Sequence, residues 1–331
     1  MPNPYISGTG FYLPPRIVTN DELSSYMDTT DEWIQERTGI KERRYVEKGV
    51  GPSDLAISAT EQALKAAGLK VSDIDFIIFA TSTPDFYAPG SGCVLQEKMG
   101  FNEIGALDIR VQCSGFIYGL SIAEQYIRTG NFKNILLIGA EVQSTAMNLT
   151  DEGRDTAIIF GDGSGAAIIS ATEENKGILS THMHSEGKYL KELWLEAPAS
   201  NAGHPRITRE VLDEGKQYLK MNGKEVFRHA ITRFPEVIYE ALEANNLTSE
   251  NINLLIPHQA NLRITQMVQK RLGLSNDQVF SNIHKYGNTT AATIPIALAE
   301  AFNKGRIKEG DILVLAAFGA GFTWASAIMK W

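Results

Sequence analysis

The feature that most constrains the fold of this chain is a pair of apolar strand patterns that occurs twice, about half a chain apart. IDFIIFA begins at Ile74 and INLLIPH at Ile252, an offset of 178 residues (252 − 74). ILLIGA at Ile135 and ILVLAA at Ile312 repeat this relation with an offset of 177 residues (312 − 135). The near-equal offsets predict an internal duplication of a β/α unit.

The boundary between the two copies falls in a polar cluster and divides the chain into an N-terminal half (1–173) and a C-terminal half (174–331). Both halves contain runs rich in Ile, Val, Leu and Phe with few charges, which are typical of strands buried on both faces of a sheet. The predicted strands are Ile74–Ala80, Leu107–Val111, Ile135–Ala140, Thr156–Phe160, Ala166–Ser170, Ile252–Pro257 and Ile312–Phe318. Helical patterns separate them, one beginning at Ser53 and ending at Gly68. This alternation predicts an α/β fold.

Composition and charge argue against several functional classes. The 331 residues include 43% hydrophobic and 21% charged residues, close to the average of folded globular proteins. A net charge of −8 argues against a general binder of nucleic acid or anionic membranes, and no apolar run approaches the roughly 20 residues of a membrane span. The two cysteines, Cys93 and Cys113, lack the spacing of a zinc site. We therefore expect a cytoplasmic protein with no metal, no nucleic-acid partner and no membrane segment.

One of these cysteines lies at a predicted strand-to-helix turn. Cys113 is in LDIRVQCSGFIYGL, directly before a helix predicted over Gly115–Ile127. At a helix N-terminus, unpaired amides and the helix dipole lower the pKa of a thiol and favour the thiolate. We therefore predict a lowered pKa and a candidate nucleophile. A buried structural cysteine is the alternative, since free cysteine is among the most buried residue types.

The C-terminal half supplies polar residues at similar positions. His258 directly follows a predicted strand, and ligands of open α/β sheets bind at the carboxyl ends of strands. Asn288 precedes an alanine-rich helix, where a helix cap is the alternative role. The glycine-rich segment 318–327 follows another predicted strand, so its amides are candidates for binding an oxyanion, with a plain tight turn as the alternative.

Motifs spread along almost the whole chain resemble those of the beta-ketoacyl-acyl-carrier-protein synthase III family of condensing enzymes. They are TNDELSSYMDTTDEWIQERTGIKERR, the Cys113 segment, IIFGDGSGAA, MNGKEVF, IPHQANLRI, YGNTTAA and FGAGFTWASA. The resemblance implies a thiolase-like, five-layered αβαβα fold made of two similar halves. It also implies a homodimer.

The same resemblance implies the chemistry. Cys113 would attack an acyl-CoA primer and hold the acyl group, while His258 and Asn288 would stabilise the charge formed as malonyl-acyl-carrier protein loses carbon dioxide. The backbone amides of Cys113 and Ala320 would bind the oxyanion of the acyl thioester. The product is a beta-ketoacyl thioester that initiates fatty acid synthesis. Acyl-CoA and the malonyl carrier are substrates, and no cofactor is expected.

Binding residues also follow from the resemblance. Those implied for CoA are Trp33, Arg37, Arg154 and Asn261. An aromatic face and guanidinium groups suit an adenine and its phosphates, although Trp33 also fits a packing role. Those implied for the acidic acyl carrier protein are Arg228, Arg263, Lys270 and Arg271. Ordinary solvated charges are the alternative for these four.

Departures from the family pattern concern the substrate. Ala88, after Tyr87, stands where many acetyl-using relatives place a bulky aromatic that closes the acyl pocket, so a larger acyl pocket is expected around these two residues. Asp155 replaces a common glycine and affects the expected CoA contacts. Two alternative functions remain: a related ketosynthase or acyltransferase of secondary metabolism with longer or unusual primers, and a non-catalytic protein that binds acyl thioesters.

Overall fold

The computed structural model describes the backbone of residues 1–331 and every side chain other than that of Ala202. The strands are β1 (Asn3–Tyr12), β2 (Ile17–Thr19), β3 (Glu42–Arg44), β4 (Phe76–Ala80), β5 (Gly105–Ile109), β6 (Asn134–Val142), β7 (Asp162–Thr172), β8 (Gly177–Ser185), β9 (Leu193–Trp194), β10 (Lys220–Met221), β11 (Leu254–Pro257), β12 (Ile312–Gly319) and β13 (Thr323–Lys330). The helices are α1 (Asn20–Ser24), α2 (Asp31–Thr38), α3 (Pro52–Ala67), α4 (Ser91–Met99), α5 (Gly115–Arg128), α6 (Arg154–Ala157), α7 (Arg209–Asp213), α8 (Gly223–Ala244), α9 (Leu262–Leu272), α10 (Ile283–Tyr286) and α11 (Thr293–Asn303).

The two main sheets share one strand order. The first has the order β1-β7-β6-β4-β5 and the second β11-β12-β13-β8. In the first, β4 is parallel to β6 and β7 is antiparallel to both β6 and β1. In the second, β11 is parallel to β12 and β13 is antiparallel to both β12 and β8. This shared order confirms the duplication predicted from the strand offsets, and residue 173 lies where the chain passes from the first sheet to the second.

Helices and sheets alternate in five layers. α5 and α11 lie between the sheets, where Phe116 and Leu298 are fully buried in one core with residues of both sheets. α3 and α4 cover the outer face of the first sheet, and α8 and α9 cover that of the second. The predicted αβαβα arrangement is confirmed. Among the helices that the structure describes, none combines the length and apolarity that crossing a bilayer requires.

Most predicted helix boundaries are close to the observed ones. α3 begins at Pro52, whose missing N–H is tolerated in a first turn, and ends at Gly68, which has a φ of 68°. Ser53, predicted as the start, lies inside that first turn and donates to Oδ1 of Asp85 at 2.6 Å. The helix predicted over Gly115–Ile127 is confirmed as α5.

One predicted strand is wrong. Thr156–Phe160 forms the end of α6 and a following turn instead of a strand. Its apolar side chains pack with those of α1 and α2 in a small separate core. A short apolar run does not distinguish a buried helical segment from a buried strand. Phe160 forms an isolated β-bridge with Asn288, which joins this segment to the site described below.

Candidate active site

A cavity of about 590 Å³ brings together residues of both halves. Cys113 from the first half and His258 and Asn288 from the second line it, and all three are buried. Its exposed charged lining residues are Arg37, Asp155, Lys224 and Arg263. Its apolar walls include Leu193, Val226, Phe227, Ala230, Phe234 and Ile264. The three side chains singled out for chemistry thus meet at the buried end of a cavity that reaches the surface.

Cys113 lies in a short helical turn between β5 and α5. Gln112, directly before it, has a φ of 44°, in the left-handed region that residues other than glycine rarely adopt. Strain of this kind costs about 1–3 kcal/mol and persists only where the surroundings enforce it. The strained turn fixes Cys113 directly before the first turn of α5.

The predicted lowering of the Cys113 pKa is wrong for the free protein. Burial, with a smaller effect of Glu141, raises the pKa of the thiol to about 12. The backbone N–H groups of Ala320 and of Cys113 itself act in the opposite direction and favour the thiolate. Removal from water outweighs these donors because it disfavours the charged form. The resting nucleophile is therefore a thiol that needs a base.

The end of β12 contacts the nucleophile directly. A Cβ added at Gly319 would lie 2.5 Å from Cβ and 2.9 Å from Sγ of Cys113, so a side chain does not fit there. Ala320, directly after Gly319, supplies the backbone N–H that lowers the pKa of the Cys113 thiol. Two backbone N–H groups that act on the sulfur are candidates for stabilising an oxyanion on a carbon bonded to that sulfur.

His258 is fixed at the carboxyl end of β11. Its backbone N–H donates to the carbonyl oxygen of Ala316 at 2.8 Å and continues the pairing with β12. Nδ1 lies 2.6 Å from Oγ1 of Thr293, whereas Nε2 has no hydrogen-bond partner among the described residues. Burial lowers the pKa of the ring to about 3. His258 is therefore neutral near pH 7, with one ring nitrogen free for a substrate or for the thiol.

Asn288 is held by its backbone and by one atom of its amide. Its N–H donates to the carbonyl oxygen of Ile159 at 2.9 Å, and its own carbonyl accepts from the N–H of Gly161 at 3.0 Å. Oδ1 accepts from the N–H of Thr290 at 2.8 Å, at the start of the turn that leads into α11. Because Oδ1 is engaged in this way, Nδ2 is the donor that Asn288 offers to the cavity.

Three residues predicted to bind CoA lie together at the exposed end. The guanidinium carbons of Arg37 and Arg154 lie 4.5 Å and 4.7 Å from the ring centroid of Trp33. Arg154 also donates to the carbonyl oxygen of Asp28 at 2.9 Å. Asp155 lines the cavity and forms an exposed ion pair with Arg154 at 3.7 Å. An aromatic ring with two guanidinium groups nearby is suitable for binding a purine and its phosphates.

Asn261, the fourth predicted CoA residue, lines the cavity but uses its amide within the protein. Its Oδ1 accepts from the N–H of Arg263 at 2.9 Å and caps α9. Its Nδ2 donates to the carbonyl oxygen of Arg37 at 2.9 Å and ties α9 to α2. Asn261 therefore shapes the cavity wall, with both polar groups already engaged.

The cations predicted to bind the carrier protein lie on α8 and α9. The exposed members on α9 are Arg263, Lys270 and Arg271. Arg228 lies on α8 and forms an ion pair with Glu225, which offsets part of its charge. Lys224, which belongs to the MNGKEVF motif but was assigned no role from it, is exposed at the start of α8 and lines the cavity. The motif itself is the sequence signal that could have indicated this residue.

The residues predicted to form the acyl pocket do not reach the cavity. Tyr87 is 66% exposed and its ring contacts Arg206, and Ala88 is exposed as well. Among the residues that the structure describes, neither lines the cavity. Asp108 accepts from the N–H of Ser91 at 2.6 Å and holds the end of this loop at the edge strand β5. A single chain therefore does not bring these two residues to the site, and the larger acyl pocket expected from Ala88 stays a prediction.

Glu141 is a fully buried carboxyl group near the nucleophile that the motifs did not single out. It accepts from the N–H of Ser82 at 3.1 Å, the hydroxyl of Thr83 at 2.8 Å and the N–H of Ala291 at 3.5 Å. Burial raises its pKa to about 7 in spite of these bonds. The signal in the sequence is a charged residue at the end of an otherwise apolar strand.

A duplicated αβαβα fold that joins a thiol, an imidazole and an amide in one cavity between its halves is the arrangement of the thiolase-fold condensing enzymes, which are acyltransferases. Comparisons with known proteins narrow this class to one family. Two family models match the chain, 3-oxoacyl-acyl-carrier-protein synthase III over residues 107–187 and its C-terminal part over residues 242–331. The chain belongs to the beta-ketoacyl-acyl-carrier-protein synthase III family.

Individual relatives cover almost the whole chain. Beta-ketoacyl-acyl-carrier-protein synthase III of Caldanaerobacter subterraneus is 47% identical over 326 residues, which are 98% of this chain and 97% of the relative. The crystal structure of 3-oxoacyl-acyl-carrier-protein synthase III from Aquifex aeolicus has a TM-score of 0.90 at 40% identity and covers 99% of this chain and 100% of its own. A priming beta-ketosynthase of a polyketide pathway has a TM-score of 0.90 at 30% identity and covers 99% of this chain and 96% of its own.

Proposed function

We propose that this chain catalyses the decarboxylating Claisen condensation of an acyl-CoA primer with malonyl-acyl-carrier protein, the step that initiates fatty acid synthesis. The observation that carries the proposal is the meeting of Cys113, His258 and Asn288 in one buried cavity end. Each of the three side chains has a group suited to one part of the reaction. Sγ is the nucleophile, Nε2 of His258 accepts or donates a proton, and Nδ2 of Asn288 donates.

The first step transfers the acyl group to the enzyme. Sγ of Cys113 attacks the thioester carbon, and the CoA sulfur leaves with the electrons of its bond. Because the thiol is protonated at rest, a base must take its proton, and the neutral His258 lines the same cavity. The amides of Cys113 and Ala320 would stabilise the tetrahedral oxyanion in this step.

The second step forms the new carbon–carbon bond. Malonyl-acyl-carrier protein loses carbon dioxide, and negative charge develops on its thioester oxygen as an enolate forms. Donors at His258 and Asn288 stabilise that oxygen, because preorganised donors in a buried site lower the energy of developing charge. The enolate carbon attacks the acyl group, and Sγ of Cys113 leaves with the electrons of its bond to the acyl carbon and takes a proton from solvent. The beta-ketoacyl product remains on the carrier.

The outer end of the cavity supports recognition of both substrates. Trp33, Arg37 and Arg154 would bind the nucleotide part of CoA. The cations of α9 would attract the acidic carrier, although the chain as a whole carries a charge of −8. We further propose a cytoplasmic homodimer. The exposure of Phe86 and Tyr87, at 57% and 66%, supports an interface at that loop.

A primer panel tests the proposal and defines the substrate. The purified chain is incubated with malonyl-acyl-carrier protein and acyl-CoA primers from acetyl to decanoyl, straight and branched. We expect a beta-ketoacyl-carrier product with at least one primer and a strong preference for the malonyl carrier over malonyl-CoA. Preference for free malonyl-CoA would contradict the carrier role. A preference confined to unusual long primers would instead favour secondary metabolism.

Variants separate the two half-reactions. Cys113→Ala should abolish condensation but retain slow decarboxylation of the malonyl carrier, because His258 and Asn288 remain. His258→Ala and Asn288→Ala should lose decarboxylation, since each removes a donor to the enolate oxygen. Carbon dioxide release and product formation are measured in the same samples. Loss of decarboxylation in Cys113→Ala together with its retention in His258→Ala would contradict these roles.

A further inference from the structure

A hydroxyl group holds the His258 ring in place. Nδ1 lies 2.6 Å from Oγ1 of Thr293, the first residue of α11, and both residues are only 2% exposed. The same Oγ1 lies 3.0 Å from the carbonyl oxygen of Thr290. Nε2 has no partner within the part of the chain that the structure describes, and His258 lines the cavity with Cys113. Proton positions along this row of contacts decide whether Nε2 accepts or donates.

Two proton arrangements fit these contacts. A threonine hydroxyl has one proton and accepts as well as donates, and a neutral imidazole has one N–H. In the first arrangement Thr293 donates to the Thr290 carbonyl and accepts from Nδ1–H, so Nε2 carries a lone pair. In the second, Thr293 donates to Nδ1, and Nε2 carries the proton. The first keeps one more hydrogen bond between buried groups, so it is the arrangement expected in the free protein.

We propose that Thr293 is a positioning residue for acylation, which holds His258 as the Nδ1–H tautomer so that Nε2 accepts the proton of Cys113. The proposal rests on the function proposed above. As Sγ bonds to the acyl carbon, Nε2 takes the thiol proton. The CoA sulfur leaves with the electrons of its bond to that carbon and takes the same proton from Nε2. The ring ends as it began, and its pKa of about 3 supports a neutral ring at both ends of the step.

A hydroxyl partner also keeps the second arrangement accessible. During decarboxylation the enolate oxygen needs a donor, and Nε2–H of the second arrangement supplies one beside the amide of Asn288. A carboxylate or carbonyl oxygen at the position of Oγ1 would hold only the Nδ1–H tautomer, because neither can donate. Thr293 therefore suits a histidine that accepts a proton in one step and donates a hydrogen bond in the next.

Thr293→Val tests this role, because valine keeps the shape and removes the hydroxyl. A buried N–H without an acceptor is costly, so the ring should change to the Nε2–H tautomer. Acylation of Cys113 should slow by about 10²- to 10⁴-fold through loss of the base, whereas decarboxylation by the unacylated enzyme should change little, because the Nε2–H donor remains. Thr293→Ser should restore acylation. Thr60→Val, at a fully buried threonine on α3, is the matched control.

Nitrogen-15 NMR of histidine-labelled protein reads the tautomer without turnover. In the wild type, we expect His258 to be protonated on Nδ1 only, with His258→Gln identifying its signals among those of the six histidines. Thr293→Val should move the proton to Nε2.

Three results would overturn the proposal: an Nε2–H tautomer in the free wild type, an unchanged acylation rate in Thr293→Val, or equal loss of both half-reactions in that variant. The wild-type spectrum decides the matter even if Thr293→Val does not fold. Absence of acylation in the wild type would contradict the proposed function instead, and the spectrum would still report the tautomer.

Discussion

At the scale of single residues, Gly319 is a position where the addition of one methyl group should strongly reduce activity. Gly319→Ala places a methyl group where it would lie 2.5 Å from Cβ of Cys113. Either the nucleophile or the Ala320 amide must move, and loss of one oxyanion donor typically costs about 10²- to 10³-fold. We therefore expect the acylation of Cys113 to slow by that factor, as measured by mass spectrometry of samples quenched at successive times.

The control for this prediction is Gly187→Ala, because a Cβ at Gly187 meets nothing within 4 Å. The control should acylate at the wild-type rate. A Gly319→Ala enzyme with the wild-type rate would show that the amides near Sγ do not stabilise the transition state.

Glu141 predicts a pH dependence of stability. The folded protein holds its proton up to about pH 7, whereas the unfolded chain releases it near pH 4.5. The free energy of unfolding should therefore fall as pH rises through this window, by about 3 kcal/mol in total, and stay level above it with respect to this group. Glu141→Gln cannot titrate, so its free energy of unfolding relative to that of the wild type should rise by about 2.5 kcal/mol between pH 5 and pH 8.

Urea unfolding at pH 5 and pH 8 measures the free energy of unfolding of the variant and of the wild type. The test is the change in that free energy between the two pH values, not the absolute stability of the variant. Glu97→Gln, at an exposed glutamate on α4, is the control. The same pH dependence in Glu141→Gln and wild type would show that Glu141 is already ionised at pH 5 in the folded protein.

Cys113 and Glu141 show which properties of single residues the sequence can predict. The position of Cys113 at a strand-to-helix turn is predictable from the local pattern, whereas its raised pKa depends on burial by residues distant in the chain. The hydrogen bond from Ala291 to Glu141 joins residues 150 positions apart. Local spacing contains no information on such contacts.

At the scale of secondary-structure elements, α9 is the predicted docking helix for the carrier. Reversal of both Lys270 and Arg271 to glutamate should raise KM for malonyl-acyl-carrier protein by about three- to tenfold, because exposed ion pairs are each worth about 1 kcal/mol or less. KM for acyl-CoA should stay constant, since neither residue lines the cavity within the described chain. Added salt should reduce the difference between variant and wild type.

The control is Lys308→Glu, a charge reversal at an exposed position outside α9, on the loop before β12. It should leave both KM values unchanged. An equal rise of KM for the carrier in this control would show that net charge, rather than α9, determines the effect.

Elements were predictable where length and periodicity agree. The long apolar strands β6 and β12 and the amphipathic helix α5 follow directly from the sequence pattern. The structure of Thr156–Phe160 was not predictable, because a run of five mostly apolar residues fits either a strand or a buried turn of helix. Its packing against α1 and α2 decides the outcome, and that packing is tertiary.

At the scale of the whole molecule, the duplication explains why the site forms between the halves. Cys113 of the first half lies in the turn after β5, whereas His258 and Gly319 of the second half lie at the ends of β11 and β12, around the same cavity. The offsets of 177 and 178 residues made this architecture predictable. The position of the loop with Tyr87 and Ala88 was not predictable, because it depends on tertiary contacts such as the hydrogen bond from Ser91 to Asp108 rather than on periodicity.

The central claim is that Cys113 carries the acyl group between two substrates, and intact-mass analysis tests it most directly. Wild-type protein is mixed with an acyl-CoA that the primer panel identifies, and its mass and Cys113 peptide are determined before and after malonyl-acyl-carrier protein is added. We predict a mass increase of one acyl group on Cys113, absent in Cys113→Ala, that disappears as the beta-ketoacyl-carrier product forms. Product formation without any acyl group on Cys113, or an acyl group that malonyl-acyl-carrier protein does not remove, would contradict the account.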